Sequence, residues 1–346
     1  MPEGYTHVRT ARKAADALHY KIQCDAAFRA GANGPDILFC YEIWKPARKR
    51  HYDLPALGSR MHEDRTGAFL RSLCSHVRTR AQIEYALGFL SHYAADTVMH
   101  PFVCAMSAEG QPYGGRGGHG YLEIALDSTL HAEDTGDAAV PAAEVSPLPT
   151  GVQMGDVVTL LHRCLLETYG EDVPAEYLSD ALYHLYRLRG LFVSRRGVRR
   201  ALFRLAEPLF GGRGVITGHV SPACLRDLPD RWTDPFTGRE HTGGVFALLP
   251  QAQTRSETYM SAALQYWMGA ITAQQFAQVI GSMSYSQGRE TERSRAPAAQ
   301  ETAAPPQETA APPQDALQQP AAGPAASQTP DSGGATPALQ STSEAT

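Results

Sequence analysis

His92, Asp96 and His100 follow one another at four-residue steps in GFLSHYAADTVMHPF, residues 88–102. Residues four apart on an α-helix share a face, drifting by about 40° per step. Two imidazoles and a carboxylate therefore point one way from successive turns. HGYLEIALD, residues 119–127, repeats the step with His119, Glu123 and Asp127. Imidazole nitrogen and carboxylate oxygen are ligands that zinc takes at about 2.0–2.2 Å. If the two faces meet, a polynuclear metal site results. The plainer reading is a polar network inside a bundle, satisfied without an ion. Two such motifs close together in the chain weigh against it. Leu87, Phe89 and Leu90 flank His92 and predict a buried face. Buried polar groups need partners, and a metal supplies one.

The elements that must carry these residues read as helices. Ala11, Ala14, Ala15, Leu18, Ile22 and Ala26 recur at helical steps and predict one helix over 8–30, ended by GANGPD. Further helices are predicted over 64–78, 81–100, 119–131, 154–169, 175–192, 196–208 and 256–282. Pro101 is expected to close the helix that carries His92. The glycines of 114–118 leave His119 free to approach that helix. Segment 133–150 reads as a surface linker and 209–245 as an ordered loop. The fold class is all-α.

Composition narrows the functions. The chain has 36 acidic and 31 basic residues, a net charge of −5, which argues against a general nucleic-acid binder. No apolar run approaches the roughly 20 residues of a transmembrane helix. The N-terminus shows no apolar core of a signal peptide, so a cytoplasmic location is expected. The six cysteines form no CxxC pair and are expected to be free thiols. Of 13 histidines, seven lie between His51 and His131, which puts a metal site first among the chemistries to test.

Residues 286–346 contain no aromatic residue, and their only large aliphatics are Leu317 and Leu339. QETAAPP occurs twice, at 300–306 and 307–313. Such a segment lacks the apolar surface to offset chain entropy and is expected to be a disordered, solubilising tail with an unknown partner, if any. The expected organisation is a helical domain over 1–285 and a tail over 286–346.

The motifs together resemble the zinc-dependent phospholipase C-like family, an α-helical fold shared with bacterial phospholipases C and related to S1/P1-type nucleases. The resemblance rests on THV at 6–8, GANGPD at 31–36, GSRMHE at 58–63, GFLSHYAADTVMHPF at 88–102 and HGYLE at 119–123. WTDPFTG, residues 232–238, is also similar to a segment of the shorter, leaderless bacterial members. The resemblance implies that His92 and Asp96 ligate a central zinc, with Asp96 able to bridge two ions. It implies a second zinc at His100, His119 and Glu123, and a further position served by His7. Asp36 would act at the first zinc, as ligand or as the base that orients the attacking water. Either His62 or His51 would complete that site, His62 having the closer context. Asp127 would bond a ligand imidazole or sit at the surface. His76 and His131 fall outside the matched positions.

Secreted members use the free amino terminus of the mature chain as a ligand, whereas here MPEGYT precedes His7. Two or three zinc ions are therefore expected. The implied function is hydrolysis of a phosphodiester, with a phospholipid or another phosphoester as substrate, and any lipid contact would be peripheral. The alternatives are another phosphoesterase or nuclease on the same scaffold, or a non-catalytic metal-binding helical protein. A nuclease is expected to show a basic channel and stacking aromatics, which are not evident. Tyr5, Tyr41, Trp44 and Tyr93 lie near the ligands in sequence, but such aromatics are more often core.

Overall fold

The computed structural model describes residues 4–210 and 212–299, with Phe210 described by its backbone alone. The chain runs through helices α1 (Gly4–Ala17), α2 (Asp25–Ala32), α3 (Leu54–Glu63), α4 (Thr66–Ser75), α5 (Arg80–Ser107), α6 (Gly118–Thr135) and α7 (Ala142–Val145). It continues through α8 (Gly151–Tyr169), α9 (Ala175–Leu191), α10 (Val198–Ala206), α11 (Val245–Trp267), α12 (Ala273–Ile280) and α13 (Glu292–Arg295). A 3-10 helix spans Gly34–Cys40. The strands β1 (Arg231–Thr233) and β2 (Glu240–Thr242) form one antiparallel hairpin, with Trp232 opposite His241. The all-α class stands.

The architecture is built around α5. Its 28 residues start at a capping box, in which Thr79 accepts the backbone N–H of Gln82 and the Gln82 side chain accepts that of Thr79. Apolar residues lie all round it, the pattern of a helix enclosed by others. Helices α2 and α11 flank it most closely, with α1, α6 and α8 beside them. Gly88 lets α2 approach: a Cβ there would lie 2.1 Å from the carbonyl oxygen of Phe28. The main core surrounds the N-terminal half of α5, and a second core lies beyond Asp96 between α5, α6, β1 and α11.

Several sequence expectations change. Pro101 does not end its helix, and α5 continues to Ser107. The hydrogen bond that proline cannot make is offset by burial of Phe102, Val103 and Met106 in the second core, where Phe102 meets Trp232 edge-on at 5.3 Å. The helix expected over 8–30 is two helices. Its break holds His19 at φ 53°, and the fully buried Glu84 carboxylate accepts the N–H groups of Gln23 and Cys24 at the turn. The helix expected over 256–282 is likewise split, because Gly269 is left-handed and Thr272 caps α12. Segment 133–150 is not a surface linker: it contains α7 and buries Ala139, Val140 and Val145.

The boundary expected at residue 285 falls inside packed structure. Met283 bridges Glu290, the Ser294 hydroxyl donates to Ser282 O at 2.6 Å, and Arg65 N donates to Arg293 O at 2.8 Å. Hydrogen bonds hold residues 286–299 to the helical body where large apolar side chains are lacking. The disorder expected further on, over 300–346, lies outside the described residues. Among the described residues, no helix is long and apolar enough to cross a membrane. Cys24, Cys74, Cys104, Cys164 and Cys224 are free thiols.

Candidate metal centre

Five elements converge at mid-length on α5. Helix α1 brings His7, the 3-10 helix brings Asp36, α3 brings His62, α5 brings His92, Asp96 and His100, and α6 brings His119 and Glu123. Asp96 is at the centre and only 2% exposed. Its Oδ1 lies 3.2 Å from Nε2 of His7 and 3.2 Å from Nδ1 of His100. Its Oδ2 lies 3.3 Å from Nε2 of His92 and 3.8 Å from Nε2 of His62. Asp36 completes the inner end, with Oδ1 at 3.0 Å from Nε2 of His62 and Oδ2 at 3.7 Å from Nε2 of His92. At the outer end, Glu123 Oε1 lies 3.1 Å from Nε2 of His119 and 3.4 Å from Nε2 of His100.

The donor atoms form three groups, each with its members within 4.8 Å of one another: His7, Asp36 and His92; His62, His92 and Asp96; His100, His119 and Glu123. The rings are oriented from behind. His62 Nδ1 lies 2.7 Å from Gly58 O and His92 Nδ1 lies 3.2 Å from Ala32 O. A ring nitrogen facing a carbonyl must carry the proton, which leaves Nε2 as the free donor of a neutral ring. His119 Nδ1 is 3.4 Å from the Ser107 hydroxyl.

This arrangement fits a divalent cation better than a closed polar network. His92 Nε2 and Asp96 Oδ2 are buried and make no hydrogen bond, and so is His7 Nδ1. Unpartnered buried polar atoms are costly unless something satisfies them. The imidazole and carboxylate donors are the set that zinc takes.

The electrostatics are strongly coupled. Burial opposes ionisation of Asp96, but His100, His92 and His7 outweigh it and hold the carboxyl well below the usual range. His92 and His62 likewise outweigh burial at Asp36 and lower it, and His119 and His100 do so at Glu123. In return, and against burial, Asp96 raises His7, Asp36 raises His62, and Asp96 with Glu123 raises His100 well above its ordinary value.

The inner end is closed, with Asp36, His62, His92 and Asp96 buried, whereas the side chain of His119 is 40% exposed. The cluster opens into a cleft of about 350 Å3 whose wall also carries Phe39, Ser59, Glu63, Cys104 and Ser286. Glu63 and Cys104, close in the chain to His62 and His100, carry no site signal of their own in the sequence, and Ser286 reads as tail.

Two candidates lie elsewhere. His51 is exposed and bonds Glu42 Oε1 at 2.7 Å, so His62 and not His51 joins the cluster. Asp127 is buried, but it bonds no ligand imidazole and is no surface carboxylate. It accepts the backbone N–H groups of Tyr5 and Thr6, each at 2.7 Å, and the Thr6 hydroxyl at 2.6 Å. The first N–H groups of a helix have no partner within it, so Asp127 anchors the start of α1 directly before His7. His76 and His131 are bonded outside the cluster, to Ser72 O and to Asp137 O with Glu144. Tyr41 and Tyr93 are core, and Trp44 is exposed beside His184. Trp232 of WTDPFTG packs between Phe102 and His241.

A family model described as zinc-dependent phospholipase C matches residues 6–184, just over half of the chain. The match contains every residue of the three donor groups. No curated protein and no solved structure matches the chain.

Proposed function

The chain belongs to the zinc-dependent phospholipase C family, and we propose that it is a phosphodiester hydrolase with two or three zinc ions in the cleft around Asp96. The observation that carries this reading is the division of Asp96: one oxygen faces His7 and His100, the other faces His62 and His92. A carboxylate so placed can serve two cations at once. His62, His92 and Asp36 would hold the inner ion, and His100, His119 and Glu123 the outer one. His7, with Asp36 and His92, would serve a third position.

Zinc bound there lowers the pKa of water and offsets the charge of a phosphodiester and its transition state. The protein's own groups set the geometry. Gly58 O and Ala32 O orient the rings of His62 and His92. We assign Asp36 to binding and orientation, since its two oxygens face Nε2 of His62 and Nε2 of His92. The exposed edge of His119 supports entry of the phosphoester from the cleft at the outer position. A phospholipid or a soluble phosphoester is the proposed substrate, met in the cytoplasm; cell fractionation tests that location.

The experiment is a zinc count on the purified full chain, paired with hydrolysis of bis(p-nitrophenyl) phosphate before and after chelation. About two or three zinc ions per chain are expected, with activity lost to chelator and restored by zinc. Bound zinc without hydrolysis of any phosphodiester would overturn the catalytic reading.

A further inference from the structure

Outside the metal cleft, positive charge is concentrated between Arg195 and Arg226. That stretch has seven arginines and one carboxylate, Glu207, in a chain of net charge −5. Helix α10 lies within it and buries none of its residues. Val198, Leu202, Leu205 and Leu209 are 62%, 61%, 78% and 84% exposed. Their three- and four-residue spacing makes one apolar stripe, which continues onto the 3-10 turn Glu207–Phe210. The opposite side is tethered to the body. Phe203 meets Phe192 at 5.7 Å, Arg199 donates to Gly190 O at 2.9 Å, and Arg200 donates to the carbonyls of Val220 and Pro222. The aliphatic stripe is thus held outward.

Beside it lies a cavity of about 380 Å3 walled by Arg116, Arg204, Arg213, Arg226, Tyr113 and Tyr121. Arg226 stacks over Tyr113 and Tyr121 at 5.1 and 5.2 Å. Glu207, the one carboxylate in the wall, accepts the N–H groups of Ile216 and Thr217. Among the described residues, Arg116, Arg204 and Arg213 have no carboxylate within ion-pair distance. Gly117 and Gly118 belong to this wall and His119 to the metal cleft, so the two cavities meet across the first turn of α6.

We propose that α10 docks the protein on an anionic phospholipid surface, with the aliphatic stripe entering the acyl boundary and the arginine cavity taking a headgroup phosphate. A basic amphipathic helix with an exposed apolar face has the chemistry of such an interface. Each arginine near the surface adds attraction to anionic lipid. Other occupants fit less well. Residues 300–346 carry five carboxylates and no Lys or Arg, but offer only Leu317 and Leu339 to cover the stripe. A second copy would set one arginine cluster against its equal. The proposal deepens the phosphoesterase reading, and docking is measured without turnover.

The test is co-sedimentation of the zinc-loaded full chain with vesicles of phosphatidylcholine alone or mixed with phosphatidylglycerol. Binding is expected only to the mixed vesicles, and salt should weaken it. The double substitution Leu202→Asp and Leu205→Asp should weaken it about tenfold or more. Arg204→Gln and Arg213→Gln should each weaken it about fivefold. Hydrolysis of soluble bis(p-nitrophenyl) phosphate, measured on the same variants, should stay at the parent rate, so loss of docking and loss of catalysis are separately visible. A parent chain that docks without hydrolysing overturns the catalytic reading and leaves docking standing. Equal binding to both vesicle types, no binding to either, or indifference to the leucine substitutions overturns the docking. So does a dimer that Leu205→Asp dissociates, or cross-linking of residues 300–346 to α10, where vesicle binding is absent.

Discussion

Gly34 and His92 are in contact with no room for a methyl group between them: a Cβ on Gly34 would lie 2.2 Å from Cδ2 of the imidazole. Gly34 also sits at φ +52°, where an L side chain is strained. Gly34→Ala should cost about 1–3 kcal/mol of stability and lower the zinc count by at least one ion. Gly136→Ala is the control, because Gly136 shares a positive φ of +82° but faces open space. It should lower the melting temperature and keep all its zinc. Equal zinc in the two variants would refute the role given to the contact.

Asp96→Asn removes charge from the oxygens facing four histidines and should reduce the occupancy of more than one zinc position. His131→Ala should leave the zinc count unchanged. The ring of His131 is 2% exposed and bonds Glu144 at 2.9 Å, so its loss should still cost about 1–3 kcal/mol. Zinc counting by plasma mass spectrometry and thermal melts separate the two effects. Full zinc in Asp96→Asn would show the bridge to be misassigned.

Asp127→Ala leaves the first N–H groups of α1 without their acceptor. A loss of about 1–3 kcal/mol is expected. The zinc position served by His7 should weaken more than the others, because α1 alone carries that ligand. Titration of each variant with a zinc chelator resolves the positions. A uniform weakening would mean that α1 is held by packing and not by Asp127.

Glu42 gives an acid-sensitivity prediction away from the metals. Burial opposes its ionisation, but hydrogen bonds from Lys45 and His51 outweigh burial and hold it down to about 2. Its folded value lies below its ordinary 4.5, so its contribution to stability is present at neutral pH. That contribution is lost as pH falls from about 4.5 toward 2. Glu42→Gln should therefore flatten the stability curve in that window, as read by urea unfolding at a series of pH values. An unchanged slope would refute the assignment.

Zinc uptake should release protons near neutral pH. Carboxylates raise the affinity of His7, His62 and His100 for protons against the effect of burial, and a cation must displace those protons to reach the ring nitrogens. Calorimetric titration in buffers of different ionisation enthalpy measures the release. A binding enthalpy independent of buffer would contradict it.

Much of the candidate metal cluster was legible because it is local. His92, Asp96 and His100 share a helix face by spacing alone, and so do His119 and Glu123. The motif context of His62 set it ahead of His51, and the fold places it 3.0 Å from Asp36. The rest depends on contacts distant in sequence. No periodicity tells that Asp127 reaches back to Thr6, since that bond spans 121 residues. Pro101 reads as a helix end because local propensity cannot see the second core closing over Phe102. Ser294 reads as tail because its hydrogen bond to Ser282 leaves no apolar trace in the sequence.

The convergence on Asp96 ties down stretches of chain between residue 7 and residue 123. Metal held by all five elements would act as a set of cross-links, closing several loops of the unfolded chain at one point. The fold would then owe to coordination the reinforcement that other proteins draw from sulfur–sulfur bonds. Stripping the ions should loosen α1, α3 and α6 from α5 together, so that demetallation and loss of tertiary structure become one cooperative event.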